Sequence, residues 1–178
     1  VVPKEDIDNK KTEAEAMEMA AKLETEIAQG QLEIETVGKK IIIRIEQRGV
    51  FRSGSDYIDD KFLPVIDKIR EVLVTIPGRI SVEGHTDDVP VAGGRYRSNW
   101  TLSSARAASF AEELFIAPEL DASRFQIVGH ADSKPLVPNT DAESRAKNRR
   151  VEIVILRTHD NDDDDVPEIQ PDDEQAKD

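Results

Sequence analysis

The sequence predicts an α/β fold of the α+β sandwich type: a β-hairpin, then a βαβαβ order, with helices on one face of a small mixed sheet. Three observations support it: two alternating segments joined by a glycine turn, two segments with helical periodicity, and three later apolar runs of strand length. The chain of 178 residues suffices for one ordinary domain with tails. With only 4% aromatic residues, its core must consist of Ile, Val, Leu and Ala.

The N-terminal segment, residues 12–29, predicts one amphipathic helix. Its apolar residues recur at i, i+4, i+7 and i+11, at Ala16, Ala20, Leu23 and Ile27. Gly30 follows at the position where a glycine commonly ends a helix. Because the apolar stripe is narrow and rich in alanine, we expect this helix to pack weakly.

Residues 32–46 predict the β-hairpin. Apolar and polar residues alternate in both arms, and Val37-Gly38 provides the turn. The apolar positions of the two arms are Leu32, Ile34, Ile41, Ile43 and Ile45. The glycines and serines of residues 47–58 then predict a loop, from which Val50, Phe51 and Ile58 turn inward.

Helices and strands alternate in the rest of the predicted sheet. Helices are expected at about 59–76, with Pro64 in the first turn, and at about 98–115. Their buried faces consist of Phe62, Ile66, Ile69 and Leu73 in the first, and of Ser103, Ala107, Phe110, Ala111 and Leu114 in the second. Strands are expected at 79–83, 125–128 and 150–156, and a short helix at 141–147.

The charge of the chain is unevenly distributed. Ten acidic residues and one lysine at 158–178 contribute −9 to the formal charge of −13, which leaves −4 for the remainder. This near balance argues against nucleic-acid binding, which needs a basic face. The acidic segment has too little apolar surface to offset the entropy of ordering, so we expect it to be disordered.

Two near-repeats, GHTD at 84–87 and GHAD at 129–132, are the most enzyme-like feature. Two histidines and two aspartates, at His85, Asp87, His130 and Asp132, could hold the metal of a hydrolase. The alternative is that each repeat is a turn at a strand exit, with the aspartate, above all Asp132, capping backbone amides. A dinuclear centre normally needs more ligands, and no Gly-x-Ser-x-Gly motif occurs. We therefore expect no catalytic residue, metal or cofactor.

Opposite charges converge at another predicted position. Asp87 lies at a strand exit, Asn99 at a helix start and Arg106 about two turns along that helix. An aspartate and an arginine held beside free helix amides suit a zwitterion, whose ammonium binds the carboxylate and whose carboxylate binds the guanidinium. A simple salt bridge between Asp87 and Arg106 is the alternative. A second basic cluster, Arg145, Arg149 and Arg150, is expected on a solvated helix face.

Four motifs in order give the chain a resemblance to a known family. They are VEGHTD at 82–87, NWTLSSARA at 99–107, GHADSKP at 129–135 and NRRVEI at 148–153, and together they resemble OmpA-like peptidoglycan-binding domains. Within these, the segment YRSNWTLSSAR at 96–106 and the long loop before it resemble the branch of flagellar stator subunits, MotB and PomB. The DDVP sequence at 87–90 departs from the usual family pattern, in which a glycine lies shortly after the aspartate.

The resemblance implies a ligand and the residues that bind it. In the family, the site grips the meso-diaminopimelate of the peptidoglycan stem peptide without catalysis. The matching positions are Thr86 and Asp87 of the His-Thr-Asp motif, Asn99 before Leu-Ser, Arg106, and Arg149, which lines or braces the site.

For the whole protein, the resemblance implies a homodimer in the inner membrane, with a MotA/PomA-type stator subunit as partner and this domain in the periplasm. The chain begins at Val1 without an initiator methionine, so we expect a fragment that lacks the transmembrane segment. The expected division is a linker and amphipathic helix at 1–30, the peptidoglycan-binding domain at 31–157 and the acidic tail at 158–178. A Pal-like lipoprotein or OmpA-type outer-membrane anchor is the alternative.

Overall fold

In a computed structural model, which describes residues 1–157, helices pack against a five-stranded mixed sheet. The helices are α1 (Lys4–Lys22), α2 (Glu24–Ala28), α3 (Leu63–Thr75), α4 (Asn99–Leu114) and α5 (Ala142–Asn148). The strands are β1 (Glu33–Val37), β2 (Lys40–Glu46), β3 (Arg79–His85), β4 (Phe125–Gly129) and β5 (Arg150–Leu156). Each predicted element from residue 32 onward is present with small changes at its ends, and the predicted fold class is confirmed.

The strand order in the sheet is β1-β2-β5-β3-β4. β1 and β2 form the predicted antiparallel hairpin, and β5 inserts antiparallel between β2 and β3. β3 and β4 are parallel, with α4 as the crossover between them. The exits of β3 and β4 therefore lie side by side, next to the start of β5.

One face of the sheet is covered by helices and the other is polar. The alternating isoleucines of β2, together with Ile80, Val82 and Ile153, are fully buried in one core with residues of α1, α3 and α4. On the opposite face, β3 and β5 place Ser81, Glu83 and Glu152. The loop residues Val50, Phe51 and Ile58 are buried as predicted.

Helix α4 lies unusually close to the ends of two strands. A Cβ atom at Gly84 would meet the backbone carbonyl of Ser103, and one at Gly129 would meet Ser104, both at under 3.0 Å. Glycine at these positions lets the helix backbone approach the sheet. As a result, the first two turns of α4 stand beside the exits of β3 and β4.

The N-terminal helix differs from the prediction in extent and in packing. α1 begins at Lys4, directly after Pro3, and the helix is interrupted at Leu23 before α2. Pro3 followed by acidic residues is a helix start signal that the apolar stripe alone does not include. The expectation of weak packing is wrong, because Met19 and Leu23 are almost completely buried in the main core. Gly30 has a positive φ of 72°, as expected for a residue that ends a helix.

Arg157, directly after β5, binds α1 to the rest of the molecule. Its guanidinium donates to both carboxylate oxygens of Glu15 and to the backbone carbonyl of Pro77. Arg157 is only 6% exposed. The acidic segment 158–178, expected to be disordered, lies outside the described residues. Among residues 1–157, no helix combines the length and apolarity needed to cross a membrane.

Candidate ligand-binding cleft

A cleft of about 760 Å³ opens where β3 ends, between the first turns of α4 and the loops at 47–54 and 86–96. Its lining includes Thr86, Asp87, Asn99, Arg106 and Arg149. All the site residues predicted from sequence therefore meet in one cleft, although they come from separate parts of the chain. The volume lies in the range of a small-ligand site.

Asp87 is held rigidly just beyond the C-terminal end of β3. The residue is 8% exposed, its Oδ1 accepts a hydrogen bond from the amide of Val89 at 3.0 Å, and its Oδ2 accepts one from Nη1 of Arg149 at 2.6 Å. Thr86 braces the same backbone, because its amide donates to the carbonyl of Ala131 and its hydroxyl to the carbonyl of Asp87. The salt bridge of Asp87 is thus with Arg149, and the alternative pairing with Arg106 is wrong.

Arg106 offers an unpaired cation to the cleft. It is 6% exposed, its Nε donates to the backbone carbonyl of Ser55 at 2.8 Å, and its guanidinium carbon lies 5.2 Å from the centre of the Phe51 ring. Its terminal nitrogens have no hydrogen-bond or carboxylate partner among residues 1–157. Burial lowers the pKa of Arg106 and the charge of Arg149 adds to this effect, whereas Tyr96 and Asp56 oppose it without reversing it. The site is therefore suited to an anionic group.

Asn99 positions the loop that follows Asp87. The start of α4 is fixed by a capping box, in which Ser98 and Thr101 exchange hydrogen bonds between side chain and backbone. Asn99 comes next, and its Nδ2 donates to the carbonyl of Val89 at 3.0 Å. Because Val89 also donates to Asp87, Asn99 contributes to the geometry of the carboxylate.

The predicted solvated cluster of Arg145, Arg149 and Arg150 does not exist as such. Arg145 is half-buried and binds Asp88 at 2.9 Å, whereas Arg149 binds Asp87 and Arg150 is 4% exposed. The physical reason is that α5 ends at Asn148 and β5 begins at Arg150. The helical stacking assumed for these residues therefore stops at this junction.

The rim of the cleft contains a cluster that sequence reasoning missed. The hydroxyl of Tyr96 accepts from the amide of Asp56 and donates to the Asp56 carboxylate, which also accepts from Ser109 at 3.1 Å. Burial would raise the pKa of Asp56, but the hydrogen bonds from Tyr96 and Ser109 outweigh it and lower that pKa. These contacts join residues 40 or more positions apart. No local pattern could indicate them.

The four residues of the hydrolase hypothesis do not converge. The rings of His85 and His130 stack with centroids 4.6 Å apart, whereas Asp87 lies in the cleft and binds Arg149. Asp132 is exposed and accepts no hydrogen bond from residues 1–157, so its predicted capping role is wrong. Ser133 closes that turn instead, because its amide and its hydroxyl both donate to the carbonyl of His130.

Comparison with known proteins places this geometry in a family. The family model of the OmpA family matches residues 50–149, which contain the whole of α4 and the predicted site residues. Motility protein B of Bacillus subtilis is 37% identical over 85% of this chain. The chain spans only 57% of the length of that relative.

Solved structures are similar in sequence and in fold. The cell wall anchor of the T6SS from Pseudomonas aeruginosa is 36% identical, with a TM-score of 0.74 over 79% of this chain and 97% of that one. The periplasmic domain of Helicobacter pylori MotB is 26% identical, with a TM-score of 0.67 over 76% of this chain and 86% of that one. The same fold thus occurs in proteins from distinct cellular machines.

Proposed function

This chain belongs to the OmpA family, and from that premise we propose that residues 31–157 bind peptidoglycan without catalysis and anchor the protein to the cell wall. The observation that carries the proposal is the geometry of the cleft. It holds a fixed carboxylate, Asp87, and a cation with free donors, Arg106, which do not neutralise each other.

The ligand that fits this pair is an amino acid with its own ammonium and carboxylate. The free end of a meso-diaminopimelate residue in the stem peptide provides both groups. In our proposal, the ammonium binds Asp87 and the carboxylate binds the terminal nitrogens of Arg106. Hydrogen bonds between charged groups of this kind are shorter and stronger than neutral ones.

The salt bridge between Asp87 and Arg149 is compatible with this binding mode. A carboxylate has about four lone-pair sites, and Asp87 uses one oxygen for Arg149 and the other for the amide of Val89. An ammonium can therefore bind without breaking either bond. Arg149 then lies beside the ligand and adds a second positive charge for its carboxylate.

For the protein as a whole, we propose a stator anchor of the MotB type in the periplasm, which acts as a homodimer with a MotA-type subunit. The similarity to B. subtilis Motility protein B over most of this chain favours it. The similarity to the P. aeruginosa cell wall anchor favours a second candidate, an anchor of another envelope machine with the same cleft. The sequence that precedes this domain in the whole gene discriminates between them.

Binding of purified sacculi tests the cleft. We expect D87N and R106Q each to weaken binding by about 10- to 100-fold, because each removes one charged hydrogen-bond partner, worth about 1.5–3 kcal/mol. D88N is the matched control, because Asp88 is the exposed neighbour of Asp87 and, among the described residues, its side chain binds Arg145 alone. Circular dichroism must show that all variants are folded. Full binding by D87N and R106Q would disprove the proposed site.

A second comparison tests the ligand. Peptidoglycan with lysine in place of diaminopimelate keeps the ammonium but lacks the adjacent carboxylate. We expect it to bind about 10-fold or more weakly, and R106Q to lose no further affinity for it. If the parent protein binds both types equally, the cleft recognises another part of the polymer.

A further inference from the structure

A second cluster of functional side chains lies on the polar face of the sheet. Glu83 and His85 alternate with Gly84, which faces α4, so both side chains lie on the face that the helices leave open. His130 directly follows β4, and the parallel pairing of Gly84 with Gly129 brings it beside His85. This cluster shares no residue with the peptidoglycan cleft.

The three side chains lie close enough together to bind one metal ion after small rotations. One ligand atom from each of Glu83, His85 and His130 lies within 4.8 Å of the other two. The His130 Nε2 is 2.5 Å from Oε1 of Glu83, and the ring of His130 stacks on that of His85. Ligand atoms at about 2.0–2.2 Å from a tetrahedral zinc ion lie about 3.4 Å apart. The ligand atoms of His130 and Glu83, now 2.5 Å apart, must therefore separate by about 1 Å through small side-chain rotations.

His85 provides an independent indication of a ligand. It is 6% exposed, yet neither of its ring nitrogens has a hydrogen-bond partner within residues 1–157. A buried polar atom without a partner is unfavourable and needs an explanation. A cation bound between His85, His130 and Glu83 would supply one, because a neutral imidazole binds metal through its nitrogen lone pair.

Charges of both signs surround the cluster, because Glu152 favours a cation at His85 whereas Arg150 and Lys134 oppose one. Oε1 of Glu152 accepts hydrogen bonds from Arg150 and Arg44, so these cations are directed at that oxygen. Oε2 of Glu152 accepts no hydrogen bond from the described part of the chain and lies 3.8 Å from Nε2 of His85. The side chains of His130 and Glu83 are 13% and 20% exposed, and they connect the cluster to solvent.

We propose that Glu83, His85 and His130 bind a zinc ion. Two imidazoles and one carboxylate are a ligand set that Zn²⁺ prefers. The ion replaces the hydrogen bond between His130 and Glu83, and His130 then keeps its proton on Nδ1. Bound zinc cross-links β3 to the exit of β4, immediately before Thr86 and Asp87. This proposal departs from the absence of metal expected from the sequence, and it does not depend on peptidoglycan binding.

Competition with a chromophoric zinc chelator tests the site. The parent for the titration is the full chain with the substitution H159Q. The chain has three histidines, and His159, the one outside the proposed site, could bind zinc by itself. We expect one zinc per chain at this site. Removal of an outer partner already weakens metal sites about 10- to 100-fold, so E83Q and H130Q must each lose at least that much.

The control variant is D132N, which changes an exposed carboxylate two residues from His130 and should bind zinc like the parent. Co²⁺ substitution gives a second measurement, because tetrahedral nitrogen and oxygen ligation produces visible absorption bands that E83Q should abolish. Circular dichroism verifies that the variants are folded. The proposal is overturned if the parent binds no zinc, or if E83Q and H130Q bind it as tightly as D132N.

Discussion

At the scale of residues, Arg106 and Arg149 have different roles in the cleft. Arg149 donates a hydrogen bond from Nη1 to Asp87, whereas Arg106 donates from Nε to the carbonyl of Ser55 and keeps its terminal nitrogens for a ligand. That bond and the ring of Phe51 orient the guanidinium plane before any ligand arrives. A pre-oriented donor loses little conformational entropy on binding, so Arg106 should contribute more to affinity than an exposed arginine would.

The charge of Arg106 alone should not suffice. A lysine at this position keeps the positive charge but lacks the planar fork and the Nε donor to Ser55. We therefore expect R106K to bind sacculi about 10-fold more weakly than the parent, while its stability at neutral pH changes little. Arg145, which binds Asp88 and does not line the cleft, offers the matched control R145K. Equal binding by R106K and the parent would show that only the charge matters.

Asp56 should make stability depend on pH in the acid range. Its pKa is lowered in the folded protein from an ordinary 3.8, so its contribution is complete above about pH 4 and is lost as the pH falls through the folded value. We expect D56N to be about 2 kcal/mol less stable than the parent at pH 7, and this difference to shrink below pH 4. Urea unfolding at pH 7, 5 and 3 measures it.

The control for this experiment is D60N, because Asp60 is exposed and its side chain accepts no hydrogen bond from residues 1–157. D60N should differ from the parent by the same small amount at each pH. A pH-independent loss in D56N would mean that Asp56 acts through packing alone.

At the scale of elements, the approach of α4 to the strand exits sets the cleft. The two motifs GHTD and GHAD, recognised in the sequence, each contain one of the glycines that α4 approaches. The motifs alone do not indicate why glycine is needed there. The reason is the close approach of α4, which follows from its position as the crossover between β3 and β4. The loop at 47–58 and the long loop before residue 96 were both expected from the sequence, but their mutual contact through Tyr96 and Asp56 depends on the complete fold.

The substitution G84A tests this contact. Its Cβ meets a backbone oxygen, which cannot rotate away, so α4 must move. We expect a loss of about 3 kcal/mol in unfolding free energy and weaker sacculus binding, because Arg106 and Asn99 move with the helix. The control G30A meets no atom within 4 Å but strains a positive φ, so it should cost about 1 kcal/mol and leave binding unchanged. Unchanged binding by folded G84A would contradict the role of α4.

At the scale of the whole molecule, α1 is firmly attached to the domain that the sequence predicts to begin at residue 31. α1 shares the main core through Met19 and Leu23, and it is bound to Arg157 through Glu15. The sequence indicated the helix but not this attachment, because the partner of Glu15 lies 142 residues away. Periodicity predicts which face of a helix is apolar, whereas a distant ion pair leaves no local signal.

Loss of the Glu15 carboxylate should loosen α1. Arg157 is 6% exposed, so E15Q leaves a buried cation without its counter-charge. Such a loss costs about 3–5 kcal/mol in a fully buried pair. Because Glu15 is itself 28% exposed, we expect about 2 kcal/mol, measured by urea unfolding. The matched control is E13Q on the exposed side of α1, which should be neutral.

The antiparallel pairing of β3 and β5 has a mechanical consequence. The cleft lies at the end of this pair where His85 faces Arg150, and the contact of Arg157 with α1 lies at the other end, where Arg79 faces Leu156. Seven residues of strand, about 20 Å, separate the two ends. A pull between α1 and a bound polymer therefore acts along the strands and across their hydrogen bonds. The ladder is loaded in shear, so its hydrogen bonds resist together instead of opening one by one.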